Sequence, residues 1–348
     1  MVRVAIIYTV KANCNNQKLL GTIVRINPRE IHIKDPAFYD EIYTSRKRVR
    51  HKDPAFTVAL LTPGAMASTN DHEQHRLRRA LLNNFFSKRS VMVLEETIRE
   101  KVNMLRKRFV GACQEKVVLN IPSVFAALTA DVITHYSHGK SLGYLDVPDF
   151  KNDMMEALDS LFRIFHINRF LPKLAVMLSR PPFWIIEVLG LPEGLFGEMI
   201  DARLRTRKRA ADALNKKAKT TGRPETIFDA LTAESVPKKE RTLSRLVDEA
   251  SVIFGAGTET TARALSVAAF YLARDKDLRQ KLFDELTQVM PSPASQPKWA
   301  ELERLPFLVS LTSCAIMERV SSVPDRGYSR STSVVVWTQQ SIGSHRPD

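Results

Sequence analysis

Apolar residues recur along this chain with two periods. Between Gly21 and Ile33 the period is short: Ile23-Val24-Arg25-Ile26 and Ile31-His32-Ile33 flank Asn27-Pro28, a turn pair, and predict a β-hairpin. Asp35-Pro36 has the form of a helix start, with Asp as N-cap and Pro at the first helical position. From Asp71 the period lengthens. Leu77, Leu81 and Phe85 recur every four residues, Val91 to Val110 carries an apolar stripe among charges, and Ser123 to Tyr136 and Asp153 to Phe165 read as further helices. Leu171 to Ile200 is the most apolar stretch. Lys173, Arg180, Glu187 and the break at Pro181-Pro182 make it a buried or interfacial helix pair rather than a membrane span. Glu198 to Lys219 is a polar helix dense in Arg and Lys, and Thr220 to Pro224 is a loop. Leu243 to Ala273 is the longest periodic segment, and Lys276 to Met290 is a polar helix ended by Pro291 and Pro293. No internal repeat and no linker between two domains is visible. From Ser321 the chain becomes rich in Ser and Thr with weak periodicity, and is expected to be poorly ordered. The fold class is mainly α, with a small N-terminal β-hairpin region.

Composition narrows this only a little. The chain has 348 residues, 44% of them hydrophobic and 26% charged, which is enough apolar material for a sizeable core. Three cysteines make no disulfide framework and favour a reducing compartment. Lys and Arg outnumber Asp and Glu by 52 to 38, a net charge of +14 that suits an anionic partner without naming one. The densest patch, Arg203 to Lys219, contains no aromatic residue for base stacking, so no nucleic-acid partner is expected.

The longest helix holds the candidate chemistry. Its stripe of Leu243, Leu246, Val247, Ala250, Ile253 and Phe254 runs into Gly255-Ala256-Gly257-Thr258-Glu259-Thr260-Thr261. Each Gly inside a helix costs about 1 kcal/mol relative to Ala, and successive threonines add to that. Small residues admit something large close to the backbone, and a Thr hydroxyl can bond the carbonyl one turn back. Ala256 and Thr260 are one turn apart, as are Gly257 and Thr261. Two readings follow: a flat ligand against this face, with a hydroxyl and a carboxylate beside it for oxygen chemistry, or a helix crossing at small residues with Glu259 in solvent.

Ala256-Gly257-Thr258-Glu259-Thr260-Thr261 resembles the long-helix signature of the cytochrome P-450 haem-thiolate monooxygenases. Asp71-His72-Glu73-Gln74-His75-Arg76-Leu77-Arg78-Arg79, followed by Phe85-Phe86-Ser87, resembles the helix of that family that contacts the haem, in its fungal form. Val24 to Pro36, with Phe38 to Tyr43, resembles the first hairpin and following helix of fungal members, often enzymes of secondary metabolism. The order and separation of the three match as well, and the resemblance runs from about Gly21 to Leu308. It implies a P-450-like helical fold, incomplete at the C-terminus: an atypical stretch over residues 1–20, a partial domain over 21–308 and a divergent tail over 309–348.

The resemblance also implies roles. His75 and Arg79, one turn apart, would bond the haem propionates; Ala256, Gly257 and Thr261 would line the haem; Thr260 would hold water and relay protons, and Glu259 would supply them. A solvated basic face is the plainer reading of His75 and Arg79, since Arg76 and Arg78 lie beside them. NADPH would supply electrons through a partner reductase docking on a basic face that includes Arg76, Arg78, Lys88 and Arg89. The substrate would be a hydrophobic metabolite such as a terpenoid or polyketide. The family usually sits at the endoplasmic reticulum membrane; with no anchor segment in sight, this chain is expected to be cytoplasmic or peripheral.

The sequence departs from the family pattern in two respects. A haem-thiolate site needs an axial Cys in a Phe- and Gly-rich loop near the C-terminus. Cys14, Cys113 and Cys314 all lie elsewhere, so no metal ligand is assigned. Leu302 to Leu308 still resembles the approach to the family's Glu-x-x-Arg helix, but three residues after Glu318 stands Ser321. The expectation is a truncated product, inactive as a monooxygenase in this form.

Overall fold

The structure is a computed structural model that describes residues 23–27, 30–33, 35–39, 49, 51–150, 171, 193–215, 226–292 and 294–321. The chain divides into two compact units, His51–Val309 and a smaller one made of Met1–Arg50 with Ser310–Asp348. In the smaller unit β1 (Ile23–Asn27) pairs antiparallel with β2 (Glu30–Ile33), Ile23 opposite Ile33 and Arg25 opposite Ile31. The Asp35 carboxylate accepts from the Ala37 N–H at 2.9 Å and starts a short turn of helix over Pro36–Phe38. Asp153 to Phe165, Thr220 to Pro224 and the tail beyond Ser321 lie outside the described residues, as does most of Leu171 to Ile200.

The larger unit is helical. After the single turn α1 (Pro54–Val58) comes α2 (His72–Asn83), whose N-cap Asp71 accepts from the Gln74 N–H. The stripe expected over Val91 to Val110 is divided between α3 (Lys88–Met92) and α4 (Glu95–Glu115), because Val93 and Leu94 close one helix and cap the next. α5 (Ile121–His138) starts at Asn120, which caps the Ser123 N–H, and ends at Gly139 in the left-handed region (φ 74°). α6 (Glu193–Asn215) begins earlier than its polar residues suggest, and α7 (Ile227–Thr232) opens on a Thr226–Asp229 capping box. α8 (Leu243–Arg274) runs unbroken for 32 residues, glycines included. α9 (Lys276–Thr287) and α10 (Trp299–Leu302) follow, and α11 (Pro306–Ser321) contributes residues 306–309 to this unit. Glu285 of α9 accepts from the Phe307 and Leu308 N–H groups at 2.8 Å each, satisfying two donors that the start of α11 leaves open.

α8 is the axis of this unit. It packs mainly on α5 and also on α6 and α7. One core joins Leu82, Phe85, Tyr136, Ala210, Ile227, Phe228, Leu231, Leu246, Val247 and Ala250. A second, around Leu105, Val124, Ala127, Leu128, Leu145 and Phe150, sits between α4 and α5. Within the first, Phe85 stacks on Tyr136, whose hydroxyl donates to the Phe85 carbonyl. Burial of this apolar surface, rather than helix propensity, holds α8 straight through its small residues.

Candidate functional site

Two helices carry the residues singled out by the sequence. The N-terminal turns of α8 are tied to the segment before α2 by buried charge. Glu240, 1% exposed, accepts from Arg78 Nε at 2.9 Å and from Arg245 Nε at 2.7 Å. Gln74 reaches the other Glu240 oxygen at 3.3 Å, and Arg78 also donates to Thr69 Oγ1 at 2.8 Å. Arg245 lies 3.5 Å from Glu249, whose Oε2 accepts from the Met66 N–H at 3.0 Å. Asp248 accepts from the Gly64 N–H at 2.9 Å and from Arg203 at 3.1 Å. Gly64 must be glycine here, since an added Cβ would lie 2.8 Å from Arg245 Cα. Burial works against the charge of Glu240, but hydrogen bonds from Arg78 and Gln74 and the positive charges of Arg78 and Arg245 outweigh it and hold its pKa below the usual value. For Glu249 the balance goes the other way: burial raises its pKa, opposed by Arg245 and the Met66 N–H. The sequence reading placed Arg78 on an exposed basic face. That is corrected: Arg78 is 8% exposed and bonded inward, while Arg76 is exposed and paired with Glu73 at 2.6 Å.

The middle of α8 is built differently. Ala256 and Thr261 are exposed and Thr260 is half-buried. Thr260 Oγ1 donates to the Ala256 carbonyl at 2.7 Å, the one-turn bond expected of it. Glu259 is half-buried, 3.8 Å from Arg263 one turn on. Thr258 points the other way. Its hydroxyl is buried without a hydrogen-bond partner among the described residues, and its carbonyl accepts from Thr129 of α5 at 3.0 Å. The room left by Gly257 is taken by Ile133 of α5, whose Cγ1 would lie 2.7 Å from an added Cβ. At Gly257, then, the small residue serves a helix crossing. At Ala256, Thr260 and Thr261 the stripe stays accessible.

On α2, His75 is half-buried and Arg79 is exposed one turn later. Burial lowers the His75 pKa, and the charges of Lys52, Arg79 and His72 lower it further. Sequence reasoning missed Lys52, Glu240 and Glu249, which belong to no recognisable spacing. Lys52 lies 23 positions before His75 and comes close to it only because residues 51–52 run beside residues 70–72.

These groups can be tested against a haem. The cationic side chains near the start of α2 suit two carboxylates, and the exposed small-residue stripe of α8 suits the flat face of a large ring. An axial thiolate is not among them. Cys113 of α4 and Cys314 of α11 are exposed free thiols, and no cluster of metal-binding side chains occurs among the described residues. No helix among the described residues is long and apolar enough to cross a membrane.

A helical unit organised on one long helix, with this stripe at its middle, defines a class, and comparison with known proteins agrees. The chain belongs to the cytochrome P450 family, whose model matches residues 13–311. It is 38% identical over 291 residues to the cytochrome P450 monooxygenase TRI4 of Trichoderma arundinaceum, a match covering 84% of this chain and 56% of that protein. It is 41% identical over 288 residues to the conidiogenone synthase PchP450 of Penicillium rubens, covering 83% of this chain and 57% of that protein. Among solved structures, the crystal structure of a cytochrome P450, CYP102L1, superposes with a TM-score of 0.64 over 89% of this chain and 69% of that one, at 16% identity. The chain thus spans little more than half the length of the fungal relatives it matches.

Proposed function

We propose that the chain carries the oxygen-side half of a monooxygenase that acts on a hydrophobic secondary metabolite of the terpenoid or polyketide kind. One observation carries the reading: α8 is packed on its inward face yet keeps Ala256, Thr260 and Thr261 accessible at the family's signature. Haem, when bound, supplies the oxygen-activating chemistry, and a reductase drawing on NADPH supplies the electrons. His75 and Arg79 hold the propionates by charge-assisted hydrogen bonds. Ala256, with only a methyl group, leaves the ring face room, and Thr261 borders it. Thr260 is oriented by its bond to the Ala256 carbonyl, so its oxygen accepts from, and positions, a water on the same face. Glu259, half-buried and 3.8 Å from Arg263, stands where a carboxylate can exchange protons between solvent and that water.

The test uses the haem-loaded protein in a form that includes an axial thiolate, with its reductase. Thr260→Ala is expected to raise the share of NADPH electrons lost as hydrogen peroxide severalfold while leaving haem content unchanged. Equal peroxide yield from both proteins would contradict the role of Thr260. A second reading concerns this chain alone. Since the described thiols are exposed on α4 and α11, we propose that the 348-residue chain without a further thiolate does not turn over. A thiolate-type, long-wavelength Soret band in its reduced, carbon-monoxide-bound spectrum would overturn that.

A further inference from the structure

Where α5 crosses the middle of α8, the surfaces that meet are largely apolar: Ala130 and Ile133 face Phe254, and Ile133 fills the room left by Gly257. Apolar contact is non-directional, so it holds two helices together without fixing how far either is rotated. Thr129 of α5, 7% exposed, adds a directional group. Its hydroxyl lies 3.0 Å from the Thr258 carbonyl of α8, and 2.9 Å and 3.3 Å from the Phe125 and Ala126 carbonyls of its own helix. A hydroxyl has one proton to donate. Donated to Phe125 or Ala126 it stays within α5; donated to Thr258 it joins the two helices. A carbonyl has two lone pairs, so Thr258 can accept Thr129 beside the N–H of its own helix. Gly257, next in the chain, is what lets α5 come this close.

The tie at this level runs through the Thr258 backbone. Ser251, Thr260 and Ser266 of α8 each donate to the carbonyl one turn back at 2.7 Å. The Thr258 hydroxyl, 0% exposed, makes no such bond and has no partner among the described residues. The direction of the tie matters for the residues around it. Successive helical residues turn by about 100°, so Ala256 and Thr260, two places to either side of Thr258, each lie about 160° from it. A bond that holds Thr258 toward α5 therefore turns both of them away from α5, and Ala256 is exposed and Thr260 half-buried.

We propose that Thr129 is a positioning residue for the small-residue stretch. Its bond to the Thr258 carbonyl selects one rotation of α8 among those the apolar crossing allows, as a buried polar group can select one register of packed helices. That rotation presents Ala256 and Thr260 as the face for haem, a step that rests on the haem reading above.

The test compares Thr129→Val and Thr129→Ser in the full 348-residue chain, by amide hydrogen exchange and by hemin titration followed by Soret absorbance. Val keeps the shape and loses the proton; Ser keeps the proton and loses a methyl group. Thr129→Val is expected to speed exchange over residues 255–262 about fivefold, the size of one neutral hydrogen bond, and to weaken hemin binding by a similar factor. Exchange over residues 243–250 is expected to stay as it is. Thr129→Ser is expected to remain close to the unaltered chain in both measurements. If Thr129 served packing alone the order would reverse, because Ser opens a cavity and Val does not. That reversed order, or unchanged exchange in Thr129→Val, overturns the proposal and leaves the hydroxyl to α5. Faster exchange with hemin binding fully retained overturns it as well, since the tie would then not set the haem face. If the unaltered chain binds no hemin, the haem reading fails, and exchange alone decides whether Thr129 sets the rotation of α8.

Discussion

The first two turns of α8 and the stretch from Gly255 to Thr261 belong to one helix but answer to different demands. In the first, every residue from Arg245 to Ala250 is buried, and the carboxylates of Asp248 and Glu249 are spent on the backbone of residues 64–66. In the second, alternate sides of the helix part company. Gly255 and Thr258 are buried and Gly257 meets Ile133, while Ala256 and Thr261 stay accessible. The comparison teaches that the helix is clamped at one end so that a weak, small-residue middle can be held in place without covering itself.

The largest break in this contrast is expected at Glu240. Glu240→Gln leaves Arg78 and Arg245 buried without their carboxylate, a loss of about 3–5 kcal/mol by chemical denaturation at neutral pH. The Glu240 pKa is held below its ordinary value, so its contribution is present above the unfolded carboxylate range and is lost as pH falls through the folded value. The gap between the two proteins should therefore narrow in acid. A constant gap would mean that shape, not charge, is what Glu240 provides.

Next comes His138, at the end of α5. It stacks on Phe228 at 5.3 Å, both ring nitrogens are buried without partners among the described residues, and burial with the nearby Arg209 charge lowers its pKa to about 4. A folded value below the ordinary 6.5 means that stability is complete above that pH and is lost as pH falls toward about 4. The loss is of order 2–3 kcal/mol. His138→Phe should flatten this part of the stability profile, and an unchanged profile would place the acid sensitivity elsewhere.

Gly257 gives the smallest effect and the sharpest sign. Gly257→Ala gains about 1 kcal/mol of helix propensity but drives a methyl group into Ile133, and overpacking of this kind costs about 1–3 kcal/mol. A net loss of about 1 kcal/mol is expected. In an Ile133→Ala background the same change should stabilise, because the obstructing Cγ1 and Cδ1 are gone. Loss in both backgrounds would show that the glycine serves something other than the crossing.

Much of this was legible in the sequence. Leu243 to Ala273 reads directly as a helix, and the structure adds only Arg274. The bond from Thr260 to Ala256 follows from a hydroxyl placed one turn after a carbonyl. Arg78 was not legible, because in a run of basic residues the buried member looks like its neighbours. Its partner Glu240 is 162 positions away, and only the packed fold brings the two together. Of the two readings of the small-residue stretch, the helix crossing holds at Gly257, although Glu259 is half-buried rather than in solvent, and Ala256 and Thr261 stay accessible. Spacing shows that Ala256, Gly257, Thr260 and Thr261 lie near one another on the helix, but not that α5 reaches Gly257 and leaves the others accessible.

The central claim is that the accessible stripe of α8 is where haem rests, and the most direct test blocks it. Ala256 is exposed, so Ala256→Trp adds bulk to the stripe without disturbing the packed face. Hemin titration of the 348-residue chain, read by Soret absorbance, should give one saturable site that Ala256→Trp abolishes while the helical circular dichroism is kept. Equal hemin affinity in the two proteins would mean that haem does not lie on this face.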